Sequence, residues 1–376
     1  MTNTALSGLK VLDFSTLLPG PFATLYLADL GADVIHIESP SRPDLVRLIP
    51  PFANGQATSH SYLNRNKQSI ALDLKDPANV ELIKSKISEF DIVIEQFRPE
   101  VMRRLGLDYQ TLAEINPRLI YCSITGYGQT GNYHHKAGHD INYVALSGIA
   151  GHSGRQVGGP PPLGIQIADV AGGSLHAVIG ILTAVIERQH SGLGQYIDIS
   201  MTDCAVALNT MAAAAVLAGD EKQYAEHGPL NGATFYDYYQ TADQRYLAIG
   251  SLEPQFMTGL AQVLELPILL QLGTSFDTEE RQQVKAAIQE KIQLKTLAEW
   301  QSIFAPLDVC VEPVLHLDEA LHSPLAQQRG WVVDVPLKVN STETEAQLAC
   351  PIKMSRSQPR YAYIGQGLGE GEWSKT

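Results

Sequence analysis

The chain has 376 residues, enough for two domain cores, and its 44% hydrophobic and 18% charged content excludes wholesale disorder. A formal net charge of -13, with no Lys/Arg-rich run, argues against a nucleic-acid partner. The four cysteines, Cys122, Cys204, Cys310 and Cys350, are far apart and form no CxxC pair. That spacing predicts neither a metal site nor a disulfide framework, and a reducing cytoplasm as the location.

The opening MTNTALSGLK lacks the basic start and apolar core of a signal peptide. Leu9–Phe14 reads as a buried strand. Pro21–Leu30 has helical spacing, with Pro21 suited to a first turn and Gly31 ending the helix. Ala32–Glu38 reads as a second strand, and Ser69–Leu74, Asp91–Glu95 and Arg118–Ile124 as further ones, with helical segments between. This βαβ alternation predicts an α/β fold with a doubly wound parallel sheet of Rossmann-like type. The loop after the first strand, STLLPGP, is not GxGxxG, so a standard dinucleotide site is disfavoured even though Glu38 stands where a ribose-binding acid would.

From Asp140 to about Arg188 the pattern is mostly helical, and Gln195–Ile199 returns as a strand. Ala205–Ala218 is apolar but short of the roughly 20 residues of a membrane span, so it reads as a buried helix and no membrane partner is expected. The polar break HGPLNG at 227–232 marks a boundary. Beyond it, strands at Phe235–Tyr239, Tyr246–Gly250 and Cys310–Leu315, with helices to about Phe304, predict a smaller α+β domain. The expected division is a large domain over 1–200 completed by about 330–376, a linker helix over 201–232, and a small domain over 233–320.

Three segments carry chemistry: Gly138 to Tyr143 (GHDINY), Ala168 to Ser174 (ADVAGGS) and Ser251 to Phe256 (SLEPQF). A histidine beside a carboxylate, as His139 beside Asp140, can act as a general base near neutral pH. The same pair is also an ordinary helix start. Asp169 precedes a Gly-Gly-Ser turn that opens a long apolar helix, where exposed N–H groups suit an oxyanion. It reads equally as an N-cap. Glu253 has the same double reading. His134 and His135 sit in a polar loop and read as solvated.

These segments, with GLKVLDFSTLLPGPFATLYLADLGADVIHIE, SIALDLKD, FRPEVMRRLGLDY, NPRLIYCSITGYGQTG and DVCVEPVL, resemble the α-methylacyl-CoA racemase branch of the family III (CaiB/BaiF) CoA-transferases along nearly the whole chain. GHDINY and EPQF are the parts specific to the racemases. The resemblance implies that His139 and Asp169 exchange the proton on the α-carbon of a 2-methylacyl-CoA thioester, acting on opposite faces of a planar enolate. It implies Asp140 and Glu253 as helpers that orient the base, with the enolate oxygen at the helix start near Asp169. It implies coenzyme A contacts at Leu72, Asp73, Leu74 and Lys75, at Gln96, Phe97, Arg98 and Arg104, and at Gly138, His139, Asp140, Ile141, Asn142 and Tyr143. Arg65 and Lys67 are further cationic candidates. Relatives often carry an arginine after the second strand; here Ser39 stands there, with Arg42 downstream. No cofactor beyond coenzyme A as part of the substrate is expected, and an interlocked homodimer is implied. The competing activity on the same fold is a CoA-transferase with Asp169 as nucleophile. A non-enzymatic acyl-CoA binder would not need His139, Asp140, Asp169 and Glu253 together.

Overall fold

The computed structural model describes residues 4–219 and 222–373. Six strands form one sheet: β1 (Lys10–Asp13), β2 (Asp33–Glu38), β3 (Lys67–Ala71), β4 (Ile92–Glu95), β5 (Ile120–Thr125) and β6 (Tyr196–Ser200). Their order is β3-β2-β1-β4-β5-β6, and every neighbouring pair is parallel. This is the doubly wound arrangement read from the sequence. Its order reverses between β1 and β4, and ligands of such sheets bind beyond the carboxyl ends of the strands at that point.

The local reasons are plain in the residues. Ile92–Glu95 and Ile120–Thr125 are buried throughout, as strands covered on both faces must be, and they read as unbroken runs rather than alternating ones. Helix α1 (Pro19–Asp29) has prolines at its first turn and stops at Gly31, whose φ of +111° needs no side chain. Helix α2 (Asp140–Leu146) follows β5. A seven-residue π-helix, Ala168–Ser174, then runs directly into α3 (Leu175–Ser191), which packs on α1, β5 and β6. The combined stretch Ala168–Ser191 is the one helix among the described residues long and apolar enough to cross a membrane by length and composition. Helix α4 (Met201–Ala207) begins at the end of β6.

The chain separates into two compact units. The first comprises 1–147, 163–208 and 324–376, and the second 148–162 and 209–323. The second unit therefore starts at Asn209 rather than near 233, and it also claims the segment 148–162, expected in the large domain. Part of the reason is electrostatic: Arg155 bonds both Asp237 and Glu226, and Lys285 bonds Asp237, so 148–162 is tied to the small unit. That unit holds the antiparallel strands β7 (Asp237–Gln240), β8 (Tyr246–Ile249) and β9 (Val311–Pro313), in the order β9-β8-β7. Its core gathers Phe235, Leu247, Leu260, Ile288 and Trp300, among others.

The stretch 140–188 is mostly helical, as expected, interrupted where Gly154, Gly158 and Gly159 take positive φ and Pro160–Pro162 come directly after them. One expectation needs correction: 205–218 is not one buried helix. It breaks after Ala207, and the helix Thr210–Leu217 has no buried residue, with Met211 69% and Leu217 88% exposed. Among the described residues, nothing covers these apolar side chains.

Candidate active site

A cavity of about 380 Å³ opens in the first unit at the carboxyl ends of the strands. Leu17 comes from the loop after β1, Gln96 to Arg98 from the loop after β4, and Thr125 to Tyr127 from the end of β5. Met201 comes from the start of α4, and Gly138, His139, Asn142 and Tyr143 from the start of α2. The cavity thus lies where the strand order predicts.

His139 is the N-cap of α2, and its backbone N–H donates to Asn142 Oδ1 at 3.0 Å. Tyr143 folds back, its hydroxyl donating to the Gly138 carbonyl at 2.6 Å. Its hydroxyl pKa is pushed up to about 12, by burial first and then by Asp169. A Cβ on Gly138 would stand 2.6 Å from the Tyr143 ring and 2.8 Å from the Tyr127 hydroxyl, so only glycine fits. Gly138→Ala is expected to displace this turn and lower kcat/KM on the order of 10²-fold, the scale of an ångström's misplacement of a reacting group. Steady-state kinetics beside an unchanged circular dichroism spectrum checks it.

Asp140 turns toward the π-helix. Its Oδ1 accepts the N–H groups of Ala168 at 2.6 Å and of Asp169 at 3.0 Å. Asp140 therefore holds the backbone that carries Asp169. The next amide, Val170, donates to Gln166. These engaged amides correct the expectation of an oxyanion site at this helix start, since the first three donors already have acceptors. The Asp169 carboxyl is half-buried, with its pKa pushed up to about 6. Burial is the main cause and the Asp140 charge adds to it, while His139 opposes both. Carboxylic acid and carboxylate are thus both accessible near neutral pH.

The remaining sequence candidates divide. Gln96, Phe97 and Arg98 line the cavity, and Gln96 Oε1 is anchored by the Gly20 N–H at 2.9 Å. Leu72, Asp73, Leu74 and Lys75 come after β3, outside the cavity lining; Leu72 and Leu74 pack on the core, and Lys75 is exposed. Arg104 and Ile141 are exposed. Glu253 belongs to the second unit, exposed at the N-cap of helix α5 (Pro254–Leu264).

Arg65 and Lys67 are corrected outright, since each is 1% exposed and cannot meet a phosphate. Arg65 pairs with Asp29, and Lys67 Nζ donates to the Pro21 carbonyl and to Asn64. Burial brings the Lys67 pKa down to about 8, against the raising effect of Asp13. Glu38 accepts from Arg47, Ser69 and the Asp44 N–H, leaving no ribose role. Burial alone would raise its pKa, but Arg47 and His36 hold it near 2.

The cavity also uses residues the sequence reading set aside. His134 and Lys136, on a loop read as solvated, line it, and Lys136 adds a cation beside Arg98. Leu17 enters through backbone geometry: its φ is +62°, and its N–H is held by both Asp44 carboxylate oxygens at 3.0 Å.

The comparisons with known proteins agree with this architecture. The family model for CoA-transferase family III matches residues 6–365. The alpha-methylacyl-CoA racemase of Mus musculus is 38% identical over 86% of this chain and 81% of its own length, and the Homo sapiens racemase is 36% identical over 87% and 82%. The Homo sapiens succinyl-CoA:glutarate CoA-transferase is 33% identical over 88% of this chain and 76% of its own. A CAIB/BAIF family protein from Brucella suis superposes with a TM-score of 0.83 at 30% identity, covering 98% of this chain and 97% of that one. With one family model spanning nearly the whole sequence, and with racemases and transferases alike as relatives, the chain belongs to CoA-transferase family III.

Proposed function

We propose that the protein racemises the α-carbon of 2-methylacyl-CoA thioesters. The observation that carries this is the nearness of Asp169 to His139: His139 lines the cavity, the next residue, Asp140, holds the Ala168 and Asp169 amides, and the raised Asp169 carboxyl pKa, about 6, is opposed by His139. In one direction the His139 ring takes the α-proton, the C–H electron pair becomes the enolate, and the Asp169 carboxyl delivers its own proton to the opposite face. In the other direction Asp169 takes the proton and the His139 imidazolium returns one. The proton count balances in each direction, and the dyad ends each turnover with its single proton on the other partner. Arg98 and Lys136 give the anionic coenzyme A a cationic rim, and Met201 offers the acyl chain an adaptable wall.

Glu253 joins this reading as a helper only in the assembled enzyme, for which we propose the interlocked homodimer. The exposed apolar stripe Ile179 and Ile186 on α3, and the uncovered helix 210–217, are surfaces of the kind a second subunit would bury. The second reading is a CoA-transferase in which the Asp169 carboxylate attacks the thioester carbonyl and CoA leaves as thiolate; the 33% identity to a succinyl-CoA:glutarate CoA-transferase favours it.

One experiment separates the two. Single enantiomers of a 2-methylacyl-CoA are incubated in D₂O and followed by NMR for label and stereochemistry, with a free carboxylic acid as CoA acceptor in a parallel tube. Uptake of deuterium with inversion, lost in His139→Ala and in Asp169→Ala, is expected. Transfer of CoA to the acid, dependent on Asp169 and not on His139, with no α-exchange, would overturn the racemase reading.

A further inference from the structure

The π-helix that carries Asp169 is held at both ends. On the amide side, Asp140 accepts the N–H groups of Ala168 and Asp169. On the carbonyl side, the holding group is a serine with no other assigned role. Ser174 is wholly buried, and its hydroxyl lies 3.1 Å from the Asp169 carbonyl oxygen and 2.6 Å from that of Pro19. A hydroxyl has one proton, so these two acceptors share it, and no water competes at a site with zero exposure.

The Pro19 contact links this serine to the cavity wall. Pro19 opens α1, and the next residue, Gly20, donates its N–H to Gln96, which lines the cavity. Packing leaves no slack beside this path: a Cβ on Gly173 would meet the Met201 side chain at 2.9 Å and Pro19 Cβ at 3.3 Å. One hydroxyl thus connects the residue bearing the acid to the start of α1, whose Gly20 anchors Gln96 on the cavity wall. A π-turn is a locally unfavourable form of helix that recurs at functional sites, and it needs such side-chain support to hold one geometry.

We propose that Ser174 is a positioning residue that fixes Asp169 over the α-carbon, so that loss of its hydroxyl slows proton transfer on the Asp169 face and spares the His139 face. The proposal rests on the racemase reading above. It makes a stereochemical prediction. For the enantiomer whose α-proton faces His139, the enolate has two exits: return of deuterium from His139 gives exchange with retention, and delivery from Asp169 gives inversion. The partition between them reads the placement of Asp169 alone and does not depend on how much enzyme is folded.

The test measures this partition in D₂O, for both enantiomers, with wild type, Ser174→Ala and Ser174→Cys. Cysteine keeps the shape with only a weak donor, and it carries the test should the alanine variant not fold. With one enantiomer, the ratio of retained to inverted labelled product is expected to rise at least about tenfold in both variants, with exchange itself nearly maintained. With the other, exchange and inversion are expected to fall together, since Asp169 must start both. A ratio unchanged from wild type, with all rates falling in parallel, would overturn the positioning role and leave Ser174 a packing residue. Absence of exchange and inversion in the wild type would instead overturn the racemase reading, so the two failures are told apart.

Discussion

Asp169→Asn is expected to slow inversion roughly 10²–10⁴-fold, the usual scale for one positioned acid–base group, and to leave acyl-CoA binding near that of the wild type. Asparagine keeps the size and the backbone bonds to Asp140 and Ser174 but can neither give nor take a proton. The wild type's pH dependence arises from the same carboxyl. The productive dyad holds one proton shared between His139 and Asp169. Once the pH falls far enough for the dyad to hold a second proton, no base remains and kcat/KM drops; the raised Asp169 pKa puts this acid limb near 6. At higher pH the shared proton is lost and no acid remains, so the profile is a bell belonging to the pair rather than to either residue. For a simple 2-methylacyl chain the two substrates are mirror images, so both directions must show the same bell, which controls the assay. An acid limb near pH 4, where an ordinary carboxyl titrates, would refute the buried, Asp140-flanked environment assigned to Asp169.

The same shift has a stability consequence of opposite sign to activity. A folded-state pKa raised from 3.8 to about 6 means that the fold favours the neutral acid, so stability is lost as the pH rises from about 4 through 6. Asp169→Asn, a permanent neutral mimic, is therefore expected to be more stable than the wild type at pH 7.5, by on the order of 1 kcal/mol after discounting for partial exposure, and equal to it at pH 4. Urea titrations at the two pH values measure this.

How much of this could be read beforehand depends on the kind of signal. The six strands of the large sheet were legible because runs such as Ile92–Glu95 are apolar, β-branched and bounded by polar turns, which few other structures accommodate. His139 and Asp169 were legible as candidates through their motifs. Their surroundings were not, because hydrogen-bond partners across 28 or more residues leave no periodic trace. The turn of Asp140 onto the Ala168 amide is such a case, and it closes the oxyanion site that the Gly-Gly-Ser spacing suggested. The helix 210–217 is apolar all round, which sequence reasoning takes for burial, yet a single chain offers nothing to bury it against.

Arg65 shows the same limit in the opposite sense, and it carries the largest expected stability effect. A cation between polar residues reads as surface, whereas Arg65 is 1% exposed. Its Nε and terminal nitrogen reach both Asp29 carboxylate oxygens, at 2.9 and 2.5 Å, and its other nitrogen donates to the Leu348 carbonyl at 2.6 Å. The guanidinium carbon also lies 5.1 Å from the Tyr62 ring centre and 5.0 Å from that of Tyr361. Burial alone would lower its pKa; the bond to Asp29 outweighs this and keeps the group charged. Through Leu348 it fastens the C-terminal hairpin, Val332–Pro336 with Thr344–Leu348, to the end of α1. Arg65→Met is expected to cost about 3–5 kcal/mol, because it leaves the Asp29 charge buried and uncompensated. The double variant Asp29→Leu with Arg65→Met, which removes both charges, is expected to recover most of that loss. Urea unfolding of the four proteins in the cycle decides the matter. A single variant as stable as the wild type would mean that water reaches Asp29. A double variant no better than the single one would mean that Arg65 contributes by fastening the hairpin through Leu348 rather than by balancing the Asp29 charge.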